Sequence, residues 1–403
     1  MIEGTLEEQA ELIEGLLGID EHVHAGRRID TSLVHGYAGR DEATGAVNAP
    51  IFLSTTFAHP SIDGSTGYMY SRCGNPTRLQ LEDAIALLEG GKKSWAFASG
   101  MAAISGLLKL FKAGDHFLVS DDLYGGTYRL FADIFQNFGL SFDFVDFTDL
   151  GEVKRELRPE TRAFFVETPT NPTMKVVDLA ATSALAHEAG ALLVVDNTLM
   201  TPYFQKPFDF GADIVVHSGT KYLCGHNDVT AGFLVVKDSS FIQDLFTITM
   251  SEGALLDPFS SWLMLRSLKT LGVRLERQQE NARVIAEYLV SHSHVSAVYY
   301  VGDPDHPAFE LTKRQTSGFG GMISFRVDKA DRVAPALERL RIVAYAESLG
   351  SVESLMTFPL MQTHGAMHPD LRRKLGIDER LLRLSVGIED VRDLIDDLEQ
   401  ALA

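Results

Sequence analysis

Cysteine is nearly absent: Cys73 and Cys224 are the only two in 403 residues, and they form no Cys-x-x-Cys. Neither a disulfide framework nor a thiol metal cluster is available, which fits a reducing compartment, with the cytoplasm as the default. Runs of Lys or Arg are missing as well. With 36 Lys+Arg against 55 Asp+Glu and a formal net charge of -19, the chain repels phosphate backbones and anionic lipid. No nucleic-acid partner is expected. No stretch approaches the ~18 apolar residues of a membrane span. The opening Met1-Ile2-Glu3-Gly4-Thr5-Leu6 has neither the basic nor the apolar segment of an export signal. No membrane partner is expected either. Internal repeats and low-complexity tracts are lacking, and so are the Gly-x-Gly-x-x-Gly and Gly-x-x-x-x-Gly-Lys-Ser/Thr loops of nucleotide sites.

What the chain does have is core material: 45% of its residues are hydrophobic, enough for two or three domains at roughly 150 residues each. Residues 1–75 carry few long periodic segments and read as an arm that packs on something else. From Asn75-Pro76-Thr77 a helical pattern runs to Gly90-Gly91, where paired glycines end it. Seven short apolar runs come next: Ser94–Ala98, Phe117–Ser120, Phe142–Val145, Ala163–Glu167, Leu192–Asp196, Ile214–Ser218 and Gly232–Val236. Between most of them lie helical stretches such as Met101–Phe111, Thr127–Phe138 and Leu179–Ala189. This alternation predicts an α/β fold of βαβ units around one mostly parallel sheet. After Pro258 a long helical pattern, Trp262 to about Ser291, carries Arg266, Lys269, Arg274, Arg277 and Arg283 on its polar positions and reads as a bridge. Strand-like segments (Val295–Tyr300, Gly321–Val327, Leu381–Val386) and helices (Ala330–Leu340, Val391–Leu402) then predict a smaller C-terminal α/β domain. The expected division is an arm over 1–75, a large domain over 76–260, and a small domain with the interdomain helix over 261–403.

In open α/β sheets ligands sit beyond the carboxyl ends of strands. Four such ends stand out. Ile214-Val215-Val216-His217 runs into Ser218-Gly219-Thr220-Lys221, an anion cradle beside a lysine, or a solvated turn. Leu192-Leu193-Val194-Val195 delivers Asp196, a partner for a protonated ring nitrogen or a cap for the next helix. Trp95-Ala96-Phe97-Ala98 runs into Ser99-Gly100-Met101 and offers helix N–H groups to an anion, unless Ser99 is a plain cap. Phe165-Val166-Glu167 leads into Thr168-Pro169-Thr170-Asn171-Pro172, a rigid turn aiming Asn171 at the same edge. Together these ends converge on a ligand with a phosphate, a basic ring nitrogen and an aldehyde, which are the features of pyridoxal 5'-phosphate.

Further stretches carry a family resemblance: Tyr70-Ser71-Arg72 with Asn75-Pro76-Thr77, Tyr124-Gly125-Gly126-Thr127, Glu347-Ser348-Leu349-Gly350 and Arg383-Leu384-Ser385-Val386-Gly387. With the four strand ends and Gly225-His226, they run in order from about residue 30 to the C-terminus. The chain resembles the Cys/Met metabolism family of pyridoxal-phosphate enzymes, the trans-sulfuration group of cystathionine lyases and synthases. The resemblance implies the fold-type I, aspartate-aminotransferase-like architecture, with a seven-stranded large-domain sheet. It implies that Lys221 is joined to the cofactor aldehyde and serves as base, that Asp196 pairs with the ring nitrogen, and that Tyr124 stacks on the ring and moves protons. Gly100, Met101, Ser218 and Thr220 would hold the phosphate, with Tyr70 and Arg72 supplied to the neighbouring subunit. A dimer with shared sites, paired into a tetramer, is implied in turn. Arg383 would clamp the carboxylate of a sulfur-containing amino acid, with Asn171 and Ser348 assisting; an edge-strand surface charge is the competing reading.

Two positions bear on the reaction. Methionine γ-lyases place a cysteine where this chain has Gly126. Glu347 resembles the glutamate that meets a distal amino group in γ-synthases and γ-lyases, with Arg129 nearby, although a helix-cap role is open. The expected activity is cleavage of cystathionine, with γ-elimination favoured and β-elimination open. γ-Replacement on an activated homoserine is the alternative, and an inactive cofactor-binding or scaffold protein is a third reading. Thr363-His364-Gly365-Ala366-Met367-His368-Pro369 departs from the family spacing by an extra residue, His368. The pairs His364/His368, His22/His24 and His292/His294 are expected to be solvated rather than metal-binding, and Cys224 to be a small buried hydrophobe.

Overall fold

A computed structural model describes residues 26–36, 41, 44–365 and 367–403. All seven predicted apolar runs are strands: β1 Lys93–Phe97, β2 His116–Ser120, β3 Ser141–Val145, β4 Thr161–Glu167, β5 Leu192–Asp196, β6 Ile214–Ser218 and β7 Gly232–Val236. They form one sheet in the order β1-β7-β6-β5-β4-β2-β3. Only β7 runs against its neighbours, β1 and β6; the other pairs are parallel. Both faces are covered. On β5, Leu193 and Val195 enter one core and Val194 the other, which explains why the strands read as continuous apolar runs rather than alternating ones. The preceding helix, Pro76–Glu89, starts where expected, since the Asn75 side chain accepts from the Thr77 and Arg78 amides, and Gly90 ends it at φ +79°.

A second, five-stranded sheet comprises β8 Val295–Tyr299, β9 Met322–Val327, β10 Ala344–Tyr345, β11 Leu355–Thr357 and β12 Leu381–Ser385, in the order β10-β11-β12-β9-β8. It is antiparallel apart from the β10–β11 pair. β10 and β11 are too short to leave a period in the sequence. Among the described residues, no helix is long and apolar enough to cross a membrane.

The single long helix expected from Trp262 is two, Pro258–Leu268 and Leu271–Ser291. Arg274 explains the break. It is buried, not on a polar face, and reaches back to the Ser267 carbonyl (3.1 Å), the Thr270 hydroxyl (3.2 Å) and the Tyr222 carbonyl (2.8 Å). The helix Leu271–Ser291 spans both cores, with Leu271 and Leu275 in the large-sheet core and Ala282, Ile285 and Leu289 in the small-sheet core. Between them Gln278 and Asn281 donate to the carbonyls of Ser351 and Gly387, tying this helix to the loops that flank the small sheet.

Asp397, on the C-terminal helix Val391–Leu402, accepts from the amides of Arg341, Ile342 and Val343, and so fixes the segment leading to β10 and Glu347. Burial pushes its pKa up, but the three amides outweigh burial and hold the carboxyl below its ordinary value. Its stabilising effect is therefore fully present above about pH 3.9 and is lost as pH falls through the lower folded pKa. Asp397→Asn is expected to destabilise the protein by about 1–3 kcal/mol at neutral pH. The shift of the urea midpoint measures this, and the gap to wild type should narrow below about pH 4.

Candidate active site

β4, β5 and β6 are parallel and end at one edge of the large sheet, beside the start of the helix Gly100–Leu108. A cavity of about 230 Å³ opens there, lined by Lys221, Asp196, Tyr124 and Arg383. Gly100, Met101, Ser218, Thr220, Asn171, Glu347 and Ser348 border the same space. Three expected residues lie elsewhere. Arg129, in the last turn of the helix Gly125–Arg129, is turned out to solvent and does not line the cavity. Tyr70 is exposed, with the Arg72 guanidinium 5.3 Å from its ring and the Arg72 stem against Gly253.

One end of the cavity suits an anion. Ser99 caps the helix Gly100–Leu108 through the Ala102 amide, leaving the first-turn N–H groups at the cavity wall. A Cβ on Gly100 would sit 3.0 Å from Ser218 Cα, so a side chain there would push the helix start and the end of β6 apart by a few tenths of an ångström. The Thr198 hydroxyl ties β5 to β6, accepting from the Ser218 amide (2.8 Å) and donating to Asp196 Oδ1 (2.5 Å). The Thr220 hydroxyl is engaged by the backbone of Ala231, as both donor and acceptor.

Lys221 comes directly after the cradle and donates from Nζ to Ser348 Oγ at 2.9 Å. Burial, and then the Arg383 charge, pull its pKa down to about 8, against the opposing pull of Glu347. A fraction of the amine is thus uncharged at neutral pH. Across the cavity Asp196 pairs in register with Glu167 on β4. Burial raises both carboxyls, Glu167 well above its ordinary range with Asp196 as its second cause. Asp196 keeps two donors, the Thr198 amide and hydroxyl, both on Oδ1. The position of Asp196 as a free carboxylate is therefore better supported than that of Glu167, which takes a proton first.

Arg383 settles its own alternative. β12 lies inside the small sheet, between β11 and β9, and the side chain is fully buried rather than a surface charge. It donates to Asn171 Oδ1 (2.8 Å), the Ser348 carbonyl (2.8 Å) and the Thr357 hydroxyl (3.0 Å), while its buried Nε has no partner. Burial lowers its pKa only to about 10, so it stays cationic at neutral pH. Ser348 is held at φ +124°, off the usual range for a non-glycine residue, by being gripped at both its hydroxyl and its carbonyl. Glu347 is exposed at the cavity border, in a stretch where no helix begins, so it is not a helix cap.

Sequence reasoning missed Glu167 and Thr363 as cavity residues. Glu167 stood at a strand end and had a signal; Thr363 approaches only through the fold. The expectation of solvated histidines fails at His364, which is completely buried and bonded to the Leu123 and Asn171 carbonyls. The His292 side chain is mostly covered as well, whereas His368 is exposed and caps the helix Pro369–Lys374. His22 and His24 lie outside the described residues. Cys224 is buried as expected, with its thiol on Asp228 Oδ1 and its pKa pushed up to about 11 by burial.

The chain is 47% identical over 372 residues to a cystathionine γ-lyase of Bacillus subtilis, covering 92% of this chain and 98% of the relative. It is 45% identical over 374 residues to a cystathionine β-lyase of Lactococcus lactis subsp. cremoris, covering 93% and 98%. Its fold superposes with a TM-score of 0.92, at 40% identity and with coverage of 94% and 98%, on cystathionine γ-synthase from Xanthomonas oryzae pv. oryzae in complex with aminoacrylate and cysteine. Pyridoxal 5'-phosphate needs an anion cradle, an amine for its aldehyde and an acid for its ring nitrogen. The close approach at Gly100, the depressed lysine and the Asp196 carboxylate fit those needs. Residues 30–403 match the Cys/Met metabolism PLP-dependent enzymes, and the chain belongs to that family.

Proposed function

We propose that this enzyme cleaves a carbon–sulfur bond of cystathionine, with γ-elimination favoured. The observation that carries the reading is Arg383: a buried, cationic guanidinium lines a cavity that also holds a partly neutral lysine. Such a pair suits an amino acid, whose α-carboxylate meets the arginine while its α-carbon meets the amine. When bound, the cofactor supplies the electron-withdrawing ring that stabilises negative charge beside that carbon.

In this reading Lys221 is the anchor for the cofactor aldehyde and afterwards the base that carries protons at the α- and β-carbons. Asp196 would hold the proton on the cofactor's ring nitrogen. Tyr124, which lines the cavity, would hold the cofactor ring and carry a proton at its phenol oxygen. Gly100, Met101 and Ser218 would hold the phosphate, Thr220 would join them only by turning its hydroxyl away from the Ala231 carbonyl, and Tyr70 and Arg72 would complete the cradle from a neighbouring subunit. Exposed Val47, Leu53 and Ile62 in the arm give such a dimer apolar surface to bury. Asn171 and Ser348 orient Arg383, and Glu347 at the cavity border meets the distal amino group. Arg129, exposed and away from the cavity lining, is not part of this arrangement. Both free cysteines suit the reducing cytoplasm. γ-Replacement is the second reading, favoured by the likeness to a γ-synthase and served by the same residues.

The deciding experiment is product analysis. Cystathionine should yield cysteine, ammonia and 2-oxobutanoate; homocysteine with pyruvate would mean β-cleavage, and turnover only with O-acylhomoserine plus cysteine would sink the lyase reading. Lys221→Ala should lower turnover by at least about 10³-fold and remove the pyridoxyl adduct found after borohydride reduction. Because burial depresses Lys221, cofactor uptake by the apoprotein should accelerate as pH rises through about 8, with the neutral amine as nucleophile. A midpoint near 10.5 would contradict this. Arg383→Lys keeps the charge but loses the planar fork, and is expected to raise KM about 10- to 100-fold with a smaller change in kcat.

A further inference from the structure

His364 belongs to none of the roles above, yet it is completely buried against the cavity wall. Its Nε2 lies 3.2 Å from the Leu123 carbonyl and 3.1 Å from the Asn171 carbonyl, and its Nδ1 lies 2.7 Å from the Thr363 hydroxyl. Carbonyls only accept, so Nε2 carries the proton and Nδ1 takes the hydroxyl hydrogen of Thr363. Burial, and then the Arg383 charge, push the imidazole pKa down to about 4, so this tautomer is neutral throughout the physiological range.

The two carbonyls sit in separate arms of the site, 241 and 193 residues away in sequence. One precedes Tyr124. The other belongs to Asn171, whose side chain accepts from Arg383. The loop carrying His364 is pressed onto the first arm: a Cβ on Gly125 would come within 2.1 Å of the Thr363 carbonyl, so that contact depends on glycine. An N–H shared by these two carbonyls therefore joins the Tyr124 arm to the Asn171–Arg383 arm, beside the Glu167 carboxyl that accepts from the Tyr124 amide. Asp122, on the same arm as Leu123 and Tyr124, spans to the second arm as well, accepting from the Thr173 amide and the hydroxyls of Thr170 and Thr173; the arms are thus joined at that end, and a loss at His364 is felt where Tyr124 faces Asn171.

We infer that His364 is a positioning residue that sets the separation between Tyr124 and the Asn171–Arg383 clamp, and so decides how well the site takes a ligand bearing an α-carboxylate. This rests on Arg383 being the carboxylate clamp. The test uses cofactor-loaded protein and two aminooxy probes of the cofactor absorbance: aminooxyacetate, which has a carboxylate, and methoxyamine, which has none. His364→Phe removes the donor at similar bulk, and should slow aminooxyacetate about 10- to 100-fold while leaving methoxyamine within about threefold. His364→Gln, which offers two N–H groups, should recover most of the loss. An equal fall with both probes, or no fall, would overturn the inference. If His364→Phe fails to keep its cofactor, Thr363→Val decides: it frees the tautomer and should slow aminooxyacetate selectively by about 3- to 10-fold, and an unchanged ratio of the two rates refutes the role. Arg383→Lys is the reference. A selective loss there with none at His364 sinks this inference alone, and no selective loss in either sinks the clamp reading with it.

Discussion

The structure depends on one buried cation. Removing a guanidinium from water is costly unless acceptors meet it, and Arg383 finds three: Asn171 from the large-sheet side, and Ser348 and Thr357 from the small-sheet side. The two sheets are thus brought to one point by a charge that neither could bury alone. Three acceptors leave Nε unpaired. One Nη1 hydrogen is left over as well, since the three bonds use one from Nη1 and two from Nη2. Second to burial, the same charge depresses Lys221 next to it, so the group proposed to clamp the α-carboxylate also helps the lysine to lose its proton.

Acid balances that cation at a distance. Glu167 and Asp196 are adjacent in register, buried and like-charged, an arrangement that cannot hold two full negative charges. The protein separates their roles by donors. Asp196 receives the amide and hydroxyl of Thr198, whereas Glu167 receives only the Tyr124 amide. The Glu167 carboxyl is thereby left to the structure, fixing the backbone of Tyr124, while Asp196 keeps a face on the cavity. Deeper still, Glu89 accepts from both His217 and Asn197, so the strand ends that flank Asp196 are themselves cross-linked.

Much of this was legible in the sequence because strands buried on both faces leave unbroken apolar runs, and the residues just past each run sit at the sheet edge. Ser218, Lys221, Asp196 and Asn171 were readable for that reason. Their partners were not. His364 reaches Leu123 across 241 residues, and no periodicity marks such a contact, so a lone histidine in a polar loop reads as solvated. Arg274 was misjudged in the same way: its spacing put it on a polar face, and only the fold brings the Tyr222 and Ser267 carbonyls to it. β10 and β11 are two and three residues long, below any pattern. Arg129 and Glu347 were placed by resemblance alone; the helix end turns the first to solvent, and the loop after β10 leaves the second at the cavity border.

That contrast between floor and border bears on why similar chains are named for γ-cleavage, β-cleavage and γ-replacement. On the proposed reading the floor, with Lys221, Asp196 and Arg383, handles what every such reaction shares: a carboxylate, an amine and a proton lost from carbon. Asp196 and Arg383 are buried and held by several hydrogen bonds, and so are hard to alter without loss of stability. On the same reading, choice among the reactions depends on the far end of the substrate, at the cavity border where Glu347 is exposed. Contacts of that kind differ by only about 1–3 kcal/mol between competing ligands, which is enough to redirect an intermediate but far too little to reshape the floor. Reaction type should therefore drift readily on this scaffold while carboxylate recognition stays fixed, and the residues that hold the spacing of the clamp constrain the chemistry more tightly than those that touch the sulfur.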